Sequence, residues 1–276
     1  MQLKLPTYTV EISLYVGCSV NCNYCPHLSL LKKSSAKSLT VSDYKLILSK
    51  IPKFVGIAFI GMSEPLLHKD FKEILLHTIN EGYEVVCFTT LPDKYPEHVD
   101  LFLDSNLWLV RSLHIRDDQM SYKNNSDYYY SNIEKYFSQI NKNCSGIKKD
   151  RISILSKNID LKIQTLLQKY DLLDYAHRSE PFTRINAPMK YKAKPNKKLK
   201  GKIYCSEHHD KIQHLLPDGD VVLCCMDVEK NHVLGNLYKD NYESLFRSKE
   251  YNKILNGFND HKVNTICRSC AFARKA

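Results

Sequence analysis

No stretch of this 276-residue sequence comes near the 18 consecutive apolar residues of a membrane-spanning helix. The longest apolar run, residues 54–60, has the length of a strand. Residues 1–6 lack both the apolar core and the cleavage site of a secretory signal. A soluble, cytoplasmic protein is therefore expected, with no membrane partner. Ten cysteines in such a chain argue against a disulfide scaffold and for metal or redox chemistry. The net charge of +10 is dispersed except between residues 190 and 202, where seven lysines crowd together. Aromatic residues are nearly missing there, with Tyr191 alone, so the stacking platform of a nucleic-acid site is lacking. A solvated interdomain segment is expected, and attraction of an anionic substrate or partner is the alternative.

What is present is chemically pointed. Residues 8–16 alternate and carry Thr9, Val10, Ile12 and Val16, the pattern of a strand that ends at Gly17. Directly after it, Cys18, Cys22 and Cys25 form a C-x3-C-x2-C loop with Tyr24 before the third thiol. Three thiolates can hold three irons of a 4Fe–4S cube and leave the fourth iron open to a small chelating ligand. Zinc is the alternative, but it wants four ligands, and His27 is the nearest candidate for the fourth. About forty residues on, after the second strand, comes Gly61-Met62-Ser63-Glu64-Pro65. A tight turn there would present backbone groups to a ligand, with Glu64 tying the loop in place.

The cysteine spacing, Tyr24, the strand-then-loop context and the 61–65 segment resemble the radical S-adenosylmethionine (radical SAM) superfamily. Ser63 stands where that family usually has glycine. The resemblance implies that the open iron holds the methionine end of SAM. One-electron cleavage then gives a 5′-deoxyadenosyl radical that takes a hydrogen atom from the substrate. It further implies cofactor contacts from Tyr24, Gly61, Ser63, Glu64, Thr89 and Ser112, the last two at strand ends that meet SAM's carboxylate and ribose. An external electron donor such as flavodoxin or ferredoxin is implied as well.

Along the chain, strands are expected at 54–60, 84–89, 107–113, 151–155 and 172–175, and helices follow Thr40 and cover 69–80, 96–104, 126–139 and 159–170. Buried strands alternating with helices predict an α/β fold, a partial (β/α)6 barrel of the TIM type, with its chemistry at the C-terminal strand edge. Residues 211–216 and 220–225 flank Pro217-Asp218-Gly219 and read as a β-hairpin, with a helix at about 242–255. Two domains are expected, 1–188 and 189–276.

The second region carries Cys205, the pair Cys224-Cys225, and Cys267 and Cys270 as C-x2-C. If the pair lies on a strand, its side chains face opposite ways, so one of them joins Cys205, Cys267 and Cys270. Four thiolates suit a second 4Fe–4S cube and zinc equally. The region resembles the twitch domain, the half-size form of the SPASM extension, which implies a second cluster and, within the pair, Cys224 as ligand. It also implies dehydrogenation of a small polar substrate, a sugar, aminocyclitol or similar alcohol, with that cluster as electron acceptor. Alternatives are a peptide or protein maturase, a radical epimerase using the spare thiol, and a zinc-stabilised binding module. Removal of a hydroxyl proton needs a base. Arg111, Arg116, His114, Arg151, His177, Arg184 and Asp227 stand at strand ends or in the second region, with Arg151, His114 and Asp227 foremost. Replacing Cys18, Cys22 and Cys25 together with alanine is expected to abolish 5′-deoxyadenosine formation while the second set keeps its metal. Chromatographic detection of 5′-deoxyadenosine from the triple variant would overturn the assignment.

Overall fold

The computed structural model describes residues 8–23, 25, 27–118, 120–121, 126–140, 150–155, 158–178, 197–208 and 211–276. Strands β1 (Thr9–Ile12), β2 (Gly56–Phe59), β3 (Val85–Thr89), β4 (Val110–His114), β5 (Arg151–Ile154) and β6 (His177–Arg178) pair in sequence order, every pair parallel. Between them run α1 (His27–Lys33), α2 (Val41–Leu48), α3 (Phe71–Asn80), α4 (Pro96–Phe102), α5 (Asp127–Gln139) and α6 (Leu161–Lys169). Among the described residues the two ends of the sheet do not pair with each other, so the barrel is partial, as the alternation predicts.

Local chemistry explains most boundaries. Thr40 caps α2 by accepting the Asp43 N–H at 3.1 Å, and Ser126 caps α5 by accepting that of Tyr129. The 8–16 run is a sheet strand only as far as Ile12. Beyond it the chain turns to other partners, with Leu39 N–H on the Leu14 carbonyl and Val16 N–H on that of Lys37. The sixth strand is not residues 172–175. Leu172 closes the end of α6 through an N–H bond to Leu167 O after Asp171 enters the left-handed region at φ 53°, and the strand forms at His177–Arg178 instead. Buried Leu172 is a helix-end contact that looks like strand core in a linear pattern.

In the C-terminal region, β8 (Ile212–Leu215) lies parallel to β1, with Thr9 opposite Ile212 and Glu11 opposite His214. Strands β9 (Asp220–Val222) and β10 (Val233–Asn236) follow antiparallel, completing a nine-stranded sheet. The expected hairpin is present, and it extends the barrel sheet. A small second sheet pairs β7 (Ile203–Cys205) with β11 (Ala273–Lys275). The helix expected at 242–255 is two, α7 (Tyr242–Leu245) and α8 (Lys249–Asn259), because Ser248 caps a new start on the Tyr251 N–H. The 188/189 boundary lies outside the described residues.

The turn between β8 and β9 binds the two regions together. Asp218 accepts the Ser34 hydroxyl and the Ser35 N–H, both at 3.0 Å, and pairs with Lys230 at 2.9 Å. Burial raises its carboxyl pKa, but Lys230 and the serine donors outweigh that and hold it below its usual value. A depressed carboxyl stabilises above its unfolded pKa, about 3.9, and that gain fades as the pH falls through the folded value. Asp218→Ala is expected to cost about 3 kcal/mol at neutral pH, because it leaves Lys230 half-paired in a buried site. In urea unfolding the difference between variant and wild type should narrow below about pH 4. An equal loss at both pH values would show that the carboxylate charge plays no part.

Candidate active site

The C-terminal ends of β2 to β6 and the loop after β1 enclose a cavity of about 380 Å³, within the size range of small-molecule sites. Cys18, Cys22 and Cys25 all line it. Their loop is shaped by Asn21 in the left-handed region at φ 48°, by Cys25 N–H on the Cys22 carbonyl, and by Ser121 N–H on the Val20 carbonyl. Burial first, and then the Glu64 carboxylate, push the Cys18 thiol up to about 11. Metal binding there must therefore release a proton.

Glu64 is the anchor of the 61–65 loop. It is fully enclosed and accepts Thr89 Oγ1 at 2.7 Å, Thr90 N–H at 2.7 Å, Thr90 Oγ1 at 2.8 Å and Leu66 N–H at 3.3 Å. Burial raises its pKa against the pull of those four donors. These bonds tie the 61–65 loop to the end of β3. Thr89 lines the cavity, but its hydroxyl donates to Glu64 and accepts the Leu91 N–H, so its bonds serve the loop. Gly61 has φ 115°, and a Cβ there would overlap His214 and Ser13. Ser63 lines the cavity and has no left-handed φ, so its backbone does not require glycine.

The remaining candidates separate by position. His114, at the end of β4, lines the cavity beside Ser153 and His177. Burial lowers its pKa to about 4, so the imidazole is neutral at physiological pH. Ser112 lies two residues below it, fully buried and outside the cavity lining, with a hydroxyl that has no hydrogen-bond partner among the described residues. Arg151 begins β5 and is exposed, at the opposite strand end from the cavity, which removes it from the catalytic set. Asp227 leaves the set as well. Its oxygens accept Asn231 N–H, Asn231 Nδ2 and His232 N–H, closing the turn before β10. Arg111 pairs with Asp150, and Arg116 donates to the Thr90 and Leu91 carbonyls and to Asp93. Tyr24 and Arg184 lie outside the described residues. Residues not singled out from the sequence, Phe88 and Ser153, complete the wall near His114. Their signal was available only as strand register, since Phe88 pairs with Ser112, and Ser153 with both His114 and His177.

A second cavity is lined by Cys205, Cys224, Cys267 and Cys270 among Leu223, Met226 and Phe258. Cys225 does not line it. The pair sits in a turn after β9, not on the strand, yet only Cys224 faces the other three thiols. Burial, followed by the neighbouring thiols Cys225, Cys267 and Cys270, drives the Cys224 pKa well upward. Register explains the gathering, because β7 pairs with β11 and sets Cys205 opposite Ala273. Arg268, fully buried inside the C-x2-C turn, donates to the Leu199 and Gly201 carbonyls and fixes the segment leading into β7. Among the described residues, no three His, Cys, Asp or Glu side chains converge at single-ion spacing. Four thiols around one cavity suit a 4Fe–4S cube and a tetrahedral zinc ion alike.

Two family models match the chain. The radical SAM superfamily profile matches residues 12–147, and that of the SPASM iron–sulfur cluster-binding domain matches residues 205–271. The chain belongs to the radical SAM superfamily and carries a SPASM-type C-terminal domain; it is a radical SAM enzyme whose domains imply SAM and 4Fe–4S clusters as cofactors. No curated protein matches it in sequence. Among solved structures it is similar to BtrN in complex with AdoMet and 2-DOIA, at 13% identity and TM-score 0.56, covering 94% of this chain and 89% of that one. It is also similar to Streptococcus suis SuiB bound to precursor peptide SuiA, at 13% identity and TM-score 0.64, covering 96% and 70%. A third is anSMEcpe with bound AdoMet and Cp18Cys peptide, at 13% identity and TM-score 0.61, covering 96% and 86%. At that identity the likeness is one of fold.

With three thiols at one cavity and four at the other, reconstituted protein is expected to hold about eight irons. Cys224→Ala should lose about half of them, and Cys225→Ala none. Four irons plus one zinc by elemental analysis would overturn the second cluster.

Proposed function

We propose that this chain is a cytoplasmic radical SAM dehydrogenase that oxidises a small polar alcohol by two electrons. In this reading Cys18, Cys22 and Cys25 hold one cluster, and Cys205, Cys224, Cys267 and Cys270 hold the other. When bound, SAM and the first cluster supply a 5′-deoxyadenosyl radical for hydrogen abstraction, and the second cluster supplies an electron acceptor. Reducing electrons come from an external donor such as flavodoxin or ferredoxin.

The observation that carries the proposal is the closed four-thiol set. A cluster with a full set of protein ligands has no open iron for a substrate, which leaves electron transfer as its task. The chain's own residues then divide the remaining work. Glu64, held by Thr89, Thr90 and Leu66, fixes the loop that faces SAM. Phe88 and Leu155 give the cavity apolar wall, which keeps water from a reactive centre. His114, neutral because it is buried, accepts a hydrogen bond from the substrate hydroxyl, with Ser153 and His177 alongside. The BtrN complex with 2-DOIA is the neighbour whose ligand fits this reading. SuiB and anSMEcpe, which share the fold and have peptides bound, are the basis of a second reading in which the substrate is a peptide.

Turnover of aminocyclitols, sugars and cysteine- or serine-containing peptides in deuterated water, followed by mass spectrometry, separates these readings. The expected product is an alcohol oxidised by loss of two hydrogens, with no solvent deuterium on carbon. Deuterium at an inverted carbon, blocked by Cys225→Ala with both clusters intact, would establish epimerisation instead. Oxidation of peptides alone would move the substrate assignment to the second reading.

A further inference from the structure

Beneath the 61–65 loop, inside the barrel, three polar side chains form a chain of hydrogen bonds. Glu11 on β1 and His214 on β8 are register partners, so their side chains emerge side by side on one face of the sheet. His214 Nδ1 lies 3.2 Å from Glu11 Oε2, and His214 Nε2 lies 2.8 Å from Ser13 Oγ. Ser13 Oγ in turn accepts the Met62 N–H at 3.0 Å. Ser13, His214 and Glu11 are all buried.

The chemistry of the groups orders the protons. A carboxylate only accepts, so Glu11 places the imidazole proton on Nδ1 and leaves Nε2 as an acceptor. Nε2 takes the Ser13 hydroxyl proton, which turns the Ser13 lone pairs toward Met62 N–H. That N–H shares a peptide unit with the Gly61 carbonyl, and no peptide bond among the described residues is cis. In a trans peptide the N–H and C=O point in opposite directions. With the N–H drawn down to Ser13, the carbonyl of Gly61 is turned up, toward the cavity that Gly61 lines. The packing leaves no slack, since a Cβ on Gly61 would strike both His214 and Ser13.

We propose that Glu11, His214 and Ser13 are positioning residues that aim the Gly61 carbonyl at the bound SAM, so that a strand of the C-terminal region sets how tightly the barrel holds its cofactor. This rests on the reading of the cavity as the SAM site. Hydrogen bonds of this kind polarise one another, so removing any member should loosen the same peptide. None of the three lines the cavity, so in this proposal they act through the 61–62 backbone.

The test uses anaerobically reconstituted full-length protein, with SAM affinity measured by equilibrium dialysis and iron content and melting temperature recorded for each variant. Ser13→Ala and His214→Phe are each expected to weaken SAM binding about tenfold with iron content unchanged. The double variant should be no weaker than the worse single one, because both remove one relay. His214→Gln can accept from Ser13 and donate to Glu11, and should bind SAM within about threefold of wild type. A purely space-filling role would remove that difference, with phenylalanine tolerated as well as glutamine. If His214→Phe fails to fold, Ser13→Ala decides alone, since it deletes a single oxygen. Unchanged SAM affinity in Ser13→Ala, or additive losses in the double variant, would overturn the proposal while leaving the SAM site standing. Failure of the wild-type protein to bind SAM would bring down both readings together.

Discussion

Strand β1 has both backbone edges filled, by β2 on one side and by β8 on the other, and both pairings are parallel. Without β8 it would be an edge strand with unpaired N–H and C=O groups. Parallel pairing also puts the C-terminal ends of all three strands on one side of the sheet. The thiol loop follows β1, the Glu64 loop follows β2, and the Asp218 turn follows β8, so all three open onto the same edge. This is why Asp218 can reach Ser34 and Ser35, beyond α1, although they stand far away in sequence. The two cofactor regions are therefore joined by backbone pairing first and by side chains second.

The charges in the barrel are handled in two different ways. Glu64 is buried with four donors around it, so its oxygens are satisfied by the strand ends they hold together. His114 has instead been relieved of charge by burial, which makes it a neutral acceptor facing the cavity. A site that generates a reactive carbon radical gains from both. The fixed carboxylate holds geometry without moving, and the neutral ring adds polarity without a full charge.

Much of this was legible in the residues. The cysteine trio, the Glu64 loop and the terminal C-x2-C depend on local spacing and on side-chain types with few other uses, and the helix caps at Thr40 and Ser126 are equally local. The failures came where three-dimensional neighbours decide. Leu172 is buried by closing a helix, so an apolar run there was mistaken for a strand. Arg151 was a candidate as a residue at an expected strand end and Asp227 as one of the second region; Arg151 lies at the strand end away from the cavity, and Asp227 closes its own turn. Glu11, Ser13 and His214 carried no motif at all. Their relation appears only when β8 is known to pair with β1 in register, a contact between residues two hundred positions apart that no local pattern encodes.

The two thiol sets differ in how far along the chain their members are scattered. Cys18, Cys22 and Cys25 sit within one loop, whereas the second set is completed only by bringing Cys205 to Cys270 through the pairing of β7 with β11. Chains emerge from the ribosome N-terminus first, at roughly 5–20 residues per second. The first trio can thus be assembled while most of the protein is still unmade, and the second must wait for a long loop to close. Iron bound at Cys270 would then act as a clasp on a finished fold, restraining the unfolded chain as a long-range cross-link does. The separation of the cysteines along the chain would by itself let the two sites fill in order.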